Sequence, residues 1–171
     1  TQAAFEELVE LLGDDCRDLP LSEPFDHLVK MHRDIMNADM AKNLAHYYER
    51  GKDKMTDTIC GMIEDGHKVS AVDYNTAVDG QDLLNSGLDA CFDHYDIIIT
   101  PATTGEAPAG LEATGNPIFN TLATYCGVPS ITLPLMEGPN GLPLGVQVIG
   151  PRNDDARLLR NANWLIQRVA G

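Results

Sequence analysis

No stretch of this sequence approaches the roughly 20 consecutive apolar residues that a membrane-spanning helix needs. The start "TQAAFEELVELLGDD" likewise lacks the basic opening and apolar run of a secretory signal. Basic side chains are scarce: 12 lysines and arginines stand against 26 aspartates and glutamates, a formal charge of -14. Such a surface repels phosphate backbones and anionic lipid, and no basic patch offsets it, so neither nucleic acid nor membrane is expected as a partner. Cysteines are few and scattered. Cys16, Cys60, Cys91 and Cys126 form no CxxC pair, which argues against a zinc site or a thioredoxin-like motif and for buried free thiols in a reducing cytoplasm. The histidines stand singly with no HExxH, so neither a metal nor an organic cofactor is expected. An initiator methionine is lacking too, which leads us to expect a chain processed or cut from something longer.

What is present suits a soluble globular core: 43% of the residues are hydrophobic and 22% charged, and 171 residues are most simply one domain. Residues 1–100 hold 21 acidic and 8 basic side chains, whereas 101–171 hold 5 and 4, so the second part is nearly neutral. The first part reads as helices. Phe5, Leu8, Val9 and Leu12 fall at helical spacing before "GDD". Ser22 with Pro24 marks the start of a long helix running to about Tyr48. Met55 to Ile63 predicts another that stops at Gly66, and Tyr74 to Tyr95 a third, weakened by Gly80 and Gly87 at about 1 kcal/mol each.

At "DIIITP" the pattern changes. Ile97, Ile98 and Ile99 are consecutive β-branched residues suited to a strand covered on both faces, and Pro101 is expected to stop its ladder. "PATTGEAPAGLEATGNP" has no period; structureless loops of that length are uncommon and are often functional. Asn116 and Pro117 start a helix ended by Gly127. "SITLPL" and "LGVQVIG" read as strands joined by a "MEGPNGLP" hairpin, with Pro134 implying an edge position. Asp154 or Asp155 then caps an amphipathic helix with Leu158, Leu159, Ala162, Leu165, Ile166 and Val169 on its apolar stripe.

This order of "DIIITPA", long loop, helix, "GVPSITLP", "GLPLGVQVIG" and an acidic cap before "ARLL" resembles the C-terminal part of the amidase signature family, the serine amidohydrolases. The likeness is strong from Asp96 to about Gln167 and weaker, though consistent in element order, from Phe5 to Tyr95. It implies an α/β fold with a partial mixed β-sheet of few strands packed by helices, a piece of the larger amidase signature fold, mainly helical over 1–95 and strand-loop-helix-strand-strand-helix over 96–171. A plainer reading of the same residues stands beside it: Gly145 and Gly150 let backbones approach, and the prolines stiffen turns.

The resemblance also shows what chemistry is missing. Members of this family cleave amides with a lysine and two serines, the latter in a Gly/Ser-rich segment. Here Ser22, Ser70, Ser86 and Ser130 are the only serines, no two adjacent and none in such a loop. Lys30, Lys42, Lys52, Lys54 and Lys68 all lie among polar neighbours, where an ammonium stays charged. No catalytic residue is therefore assigned, and Asp/His/Ser or Cys/His alternatives have no spacing in their favour. The resemblance implies that this chain alone is inactive, the triad lying in an N-terminal part that is missing, and that it supplies scaffold and pocket wall for a small-molecule amide. Its pocket candidates are Ala102, Thr103 and Thr104, after the isoleucine strand, and Phe119, Asn120 and Thr121, at the start of the next helix. Self-association through uncovered sheet edges is expected. Two other readings stay open: an amidotransferase component of the same family, and a stand-alone binding module built on the long loop.

Overall fold

The computed structural model describes residues 1–171, which fall into two compact units: residues 22–85, and residues 1–21 together with 86–171. The 22–85 unit is helical. Its first helix of length, α2 (Leu28–Gly51), is preceded by a 3-10 turn over Glu23–His27, and α3 (Asp57–Gly66) and α4 (Ala71–Phe92) follow. Ser22 does not cap with its side chain as expected; its carbonyl accepts from Phe25 N at 3.0 Å, and Pro24 sits in the turn's first positions. The helix also starts later, at Leu28, and runs three residues past Tyr48. Met55 lies outside α3, because Thr56 caps it and accepts from Ile59 N at 3.4 Å. Gly66 is a packing position: a Cβ there would run into the carbonyl of Asn37 and the methyl of Ala41, so only glycine lets α3 end against α2.

The other unit holds the sheet. α1 (Gln2–Leu12) comes first, and after the last turns of α4 follow β1 (Ile98–Pro101), α5 (Thr121–Cys126), β2 (Ser130–Glu137), β3 (Pro143–Ile149) and α6 (Asp155–Ala170). The strands lie in the order β1-β3-β2, antiparallel throughout this chain. Leu144, Val146 and Val148 of β3 join Leu8 and Leu12 of α1 and Leu158, Ala162 and Leu165 of α6 in one apolar core. Gly145 and Gln147 alternate with those residues and so present the opposite face.

Several local expectations needed correction. The isoleucine strand is not covered on both faces: it is an edge strand with every residue half-buried, because β3 occupies the centre. Pro101 does not stop the ladder, since it pairs with Val146 and Ala102 N still donates to Gly145 O at 2.9 Å. An edge strand tolerates a proline because no neighbour asks for the missing N–H. Pro134 does sit on the edge strand β2, where an irregularity between Leu133 and Met136 returns Met136 to the core side. In α6 the buried stripe is narrower than the pattern suggests. Leu158, Ala162 and Leu165 are buried, but Leu159 and Ile166 are 56% and 42% exposed. Of the four thiols, all free, only Cys60 and Cys126 are buried; Cys16 and Cys91 are half-exposed.

Candidate functional site: the mouth at the end of β1

β1 delivers the chain to a recess at its C-terminal end. Pro101, Thr104 and Phe119 form one side of it, and Thr1, Gln2, Phe5 and Glu6 of the α1 region form the other, around a volume of about 410 Å³. Phe5 and Phe119 make the recess aromatic, and Thr104 and Glu6 place polar groups at its rim. Two of the six residues picked from sequence, Thr104 and Phe119, thus meet at one opening.

The other four support the walls. Ala102 lies against Gly145, where a Cβ would collide with Thr132 and touch Ala102, so the glycine lets the loop start close to the sheet. Thr103 folds the loop back on itself: its Oγ1 donates to Gly105 O at 2.9 Å and accepts from Gly105 N at 3.3 Å. Thr121 is buried in α5. Asn120 is exposed, yet its Oδ1 accepts from Gln147 Nε2 at 2.8 Å. Gln147 is itself 3% exposed, and its Oε1 accepts from Thr100 Oγ1 at 3.3 Å. A three-residue chain, Thr100 to Gln147 to Asn120, therefore ties the end of β1 through the middle strand to the start of α5. Asn116 Oδ1 accepts from Ile118 N at 3.0 Å and orders the turn that carries Phe119.

Sequence reasoning missed Gln147 and Glu106. Glu106, in the long loop, accepts from Asn140 N, Asn140 Nδ2 and Leu142 N at the tip of the β2–β3 hairpin. Gln147 carried a signal, a lone amide between two valines of an otherwise buried strand; Glu106 carried none. Also unforeseen is a second, apolar cleft of about 250 Å³ in the same unit, walled by Phe5, Val9, Ile97, Ile99, Leu122 and Trp164.

The groups that could attack an amide are elsewhere and in the wrong state. All four serines and all five lysines are exposed. Ser70 caps α4, accepting from Asp73 N at 3.0 Å and donating to Asp73 Oδ2 at 2.6 Å. Lys30, Lys52 and Lys68 each hydrogen-bond a carboxylate, Asp34, Glu64 and Asp65 respectively. Those bonds raise all three ammonium pKa values, the reverse of what a lysine base needs.

A model of the amidase family matches residues 19–159. The chain belongs to the amidase family. Among its relatives is the amidase-like component of a glutamyl-tRNA(Gln) amidotransferase from Rhodopirellula baltica, 37% identical over 97 residues, which are 53% of this chain and 19% of that protein. Solved structures show the amidase fold. A crystallised amidase superposes with a TM-score of 0.77 at 20% identity, covering 98% of this chain and 41% of the other. A 6-aminohexanoate cyclic dimer hydrolase bound to substrate does so with a TM-score of 0.73 at 21% identity, covering 99% and 42%. The chain thus spans about two fifths of these amidases, and the aligned stretch about a fifth of the amidotransferase relative.

Proposed function

We propose that this chain is the scaffold and one pocket wall of an amidase that hydrolyses carboxylic amides, with the Pro101, Thr104 and Phe119 recess facing the substrate. The nucleophilic serine, its partner serine and the lysine base then belong to a part of the enzyme outside these 171 residues. The observation that carries this reading is the pairing of a family match over most of the chain with the exposure of every serine and lysine in it. An alkoxide or neutral amine needs an enclosed, oriented setting, and none of these side chains has one.

The test is direct. The purified chain is expected to release no ammonia or amine from hexanamide, benzamide or an anilide, and a fluorophosphonate probe is expected to label no serine. Labelling of any of the four, or turnover that persists after all four are replaced, overturns the proposal.

A second reading is favoured by the 37% identity to the glutamyl-tRNA(Gln) amidotransferase component. In it the same scaffold serves a protein that passes ammonia to a partner protein. The charge of -14 argues against direct contact with tRNA, so such a role runs through protein partners. Co-purification of the full gene product with partner proteins, and glutaminase activity dependent on them, distinguishes the two.

A further inference from the structure

The long loop after β1 is held in a way that neither family membership nor the proposed chemistry requires. Within five residues it has three anchors: Ala102 N on Gly145 O, the Thr103 hydroxyl on Gly105, and the Glu106 carboxylate on the β2–β3 hairpin. Beyond them residues 107–117 are all exposed, up to the Asn116 turn. The third anchor is the unusual one. Glu106 Oε1 accepts from Asn140 N at 2.9 Å and Leu142 N at 3.2 Å, and Oε2 accepts from Asn140 Nδ2 at 2.6 Å. The hairpin closes itself with other groups, Gly138 N on Leu142 O at 2.9 Å and Gly141 N on Gly138 O at 3.0 Å. The N–H groups of Asn140 and Leu142 are therefore free to converge on one carboxylate, in the manner of an anion cradle. Gly138 leaves the space for it, since a Cβ at that position would fall on the Glu106 side chain.

We propose that Glu106 is a positioning residue: a latch that closes on the hairpin tip, with Gly138 as its keeper, and fixes the Pro101–Glu106 segment so that Thr104 stands at the mouth opposite Phe5. The latch rests on the hydrogen bonds themselves; its role at the mouth rests on reading that recess as the amide pocket. The ligand class is a neutral carboxylic amide, whose carbonyl and N–H the fixed Thr104 hydroxyl can meet while its apolar part lies against Phe5 and Phe119.

Amide hydrogen exchange and hexanamide titration, both followed by NMR on the 171-residue chain, test the two parts separately. Glu106→Ala is expected to speed exchange at Asn140 and Leu142 by about tenfold, the loss of one charge-assisted hydrogen bond. Val146 and Val148 should keep their protection, which checks that the sheet is intact. Gly138→Ala should speed the same two amides in the parent chain and have no further effect in the Glu106→Ala background. Unchanged exchange at Asn140 and Leu142, or additive effects of the two substitutions, overturns the latch. Hexanamide should shift Thr104 and Phe119 resonances and bind several-fold more weakly to Glu106→Ala. Equal affinity in both proteins overturns the positioning role. Hexanamide that moves neither resonance in the parent chain overturns the pocket reading instead, and the exchange data then judge the latch alone.

Discussion

Gln147 Nε2 donates to Asn120 Oδ1 at 2.8 Å across 27 residues of sequence, joining a buried position of the central strand to the exposed start of α5. Because Gln147 also accepts from Thr100 Oγ1, the amide fixes the angle between the strand that leads into the mouth and the turn that carries Phe119. Replacing it with leucine keeps the volume but leaves Asn120 and Thr100 without this partner. Gln147→Leu is expected to lower unfolding free energy by about 1–2 kcal/mol in urea and to move the Asn120 side-chain amide signals. Unmoved Asn120 signals contradict the role given to this bond.

Two glycines of α3 should respond in opposite directions. Gly66→Ala drives a methyl into the Asn37 carbonyl and Ala41, and overpacking of this kind costs roughly 1–3 kcal/mol or more. Gly61 has nothing within reach of a new Cβ, so Gly61→Ala should stabilise by about 0.5–1 kcal/mol through helix propensity. Thermal melts of the two variants read the difference in sign, and equal shifts would discredit the close approach of α3 to α2.

The stripe of α6 makes a similar contrast. Leu165 is 1% exposed and Leu159 56% exposed, although both are leucines on one predicted apolar face. Leu165→Ala should cost about 2–5 kcal/mol and Leu159→Ala less than about 0.5 kcal/mol. A large loss at Leu159, measured by denaturant titration, would mean that this face is covered in solution.

Alkaline pH should find a weak point in α5. Burial pushes the Cys126 thiol from its ordinary 9.0 up to about 11, and that of the neighbouring Tyr125 phenol from 10.0 to about 12. A raised folded-state pKa contributes stability that is complete below the unfolded value and lost as pH rises through the folded one. The melting temperature should therefore begin to fall above about pH 9 and continue downward through about pH 11. Cys126→Ala should flatten the first part of that decline. Parallel curves for the two proteins would remove Cys126 from the account.

Much of this architecture was readable from short-range pattern. Asp154 accepts from Arg157 N at 3.0 Å, as an acidic residue before "ARLL" implies. Gly127 takes a left-handed φ of 63° at the end of α5, as a glycine after the last apolar residue implies. Pro134 lies on an edge strand for want of an N–H. Ser22 shows the limit of the same logic, because a serine before a proline can start a turn through its carbonyl as well as cap a helix through its hydroxyl. At the mouth, Thr104 and Phe119 could be picked out because they follow a strand end and begin a helix. Glu106 could not, because a glutamate in an aperiodic loop looks like any solvated charge until its partners 34 and 36 residues away are seen.

The sequence by itself determined the elements, their order and their caps, since those depend on backbone torsions and on hydrogen bonds a few residues long. It also determined that no serine here sits in a Gly/Ser-rich segment. Tertiary structure alone decided which leucines of α6 are covered, that β3 rather than β1 is the central strand, and which donors meet Gln147 and Glu106. Those outcomes depend on the register and separation of elements far apart in the chain, and an apolar residue or a carboxylate carries no local mark of the distant surface it will meet.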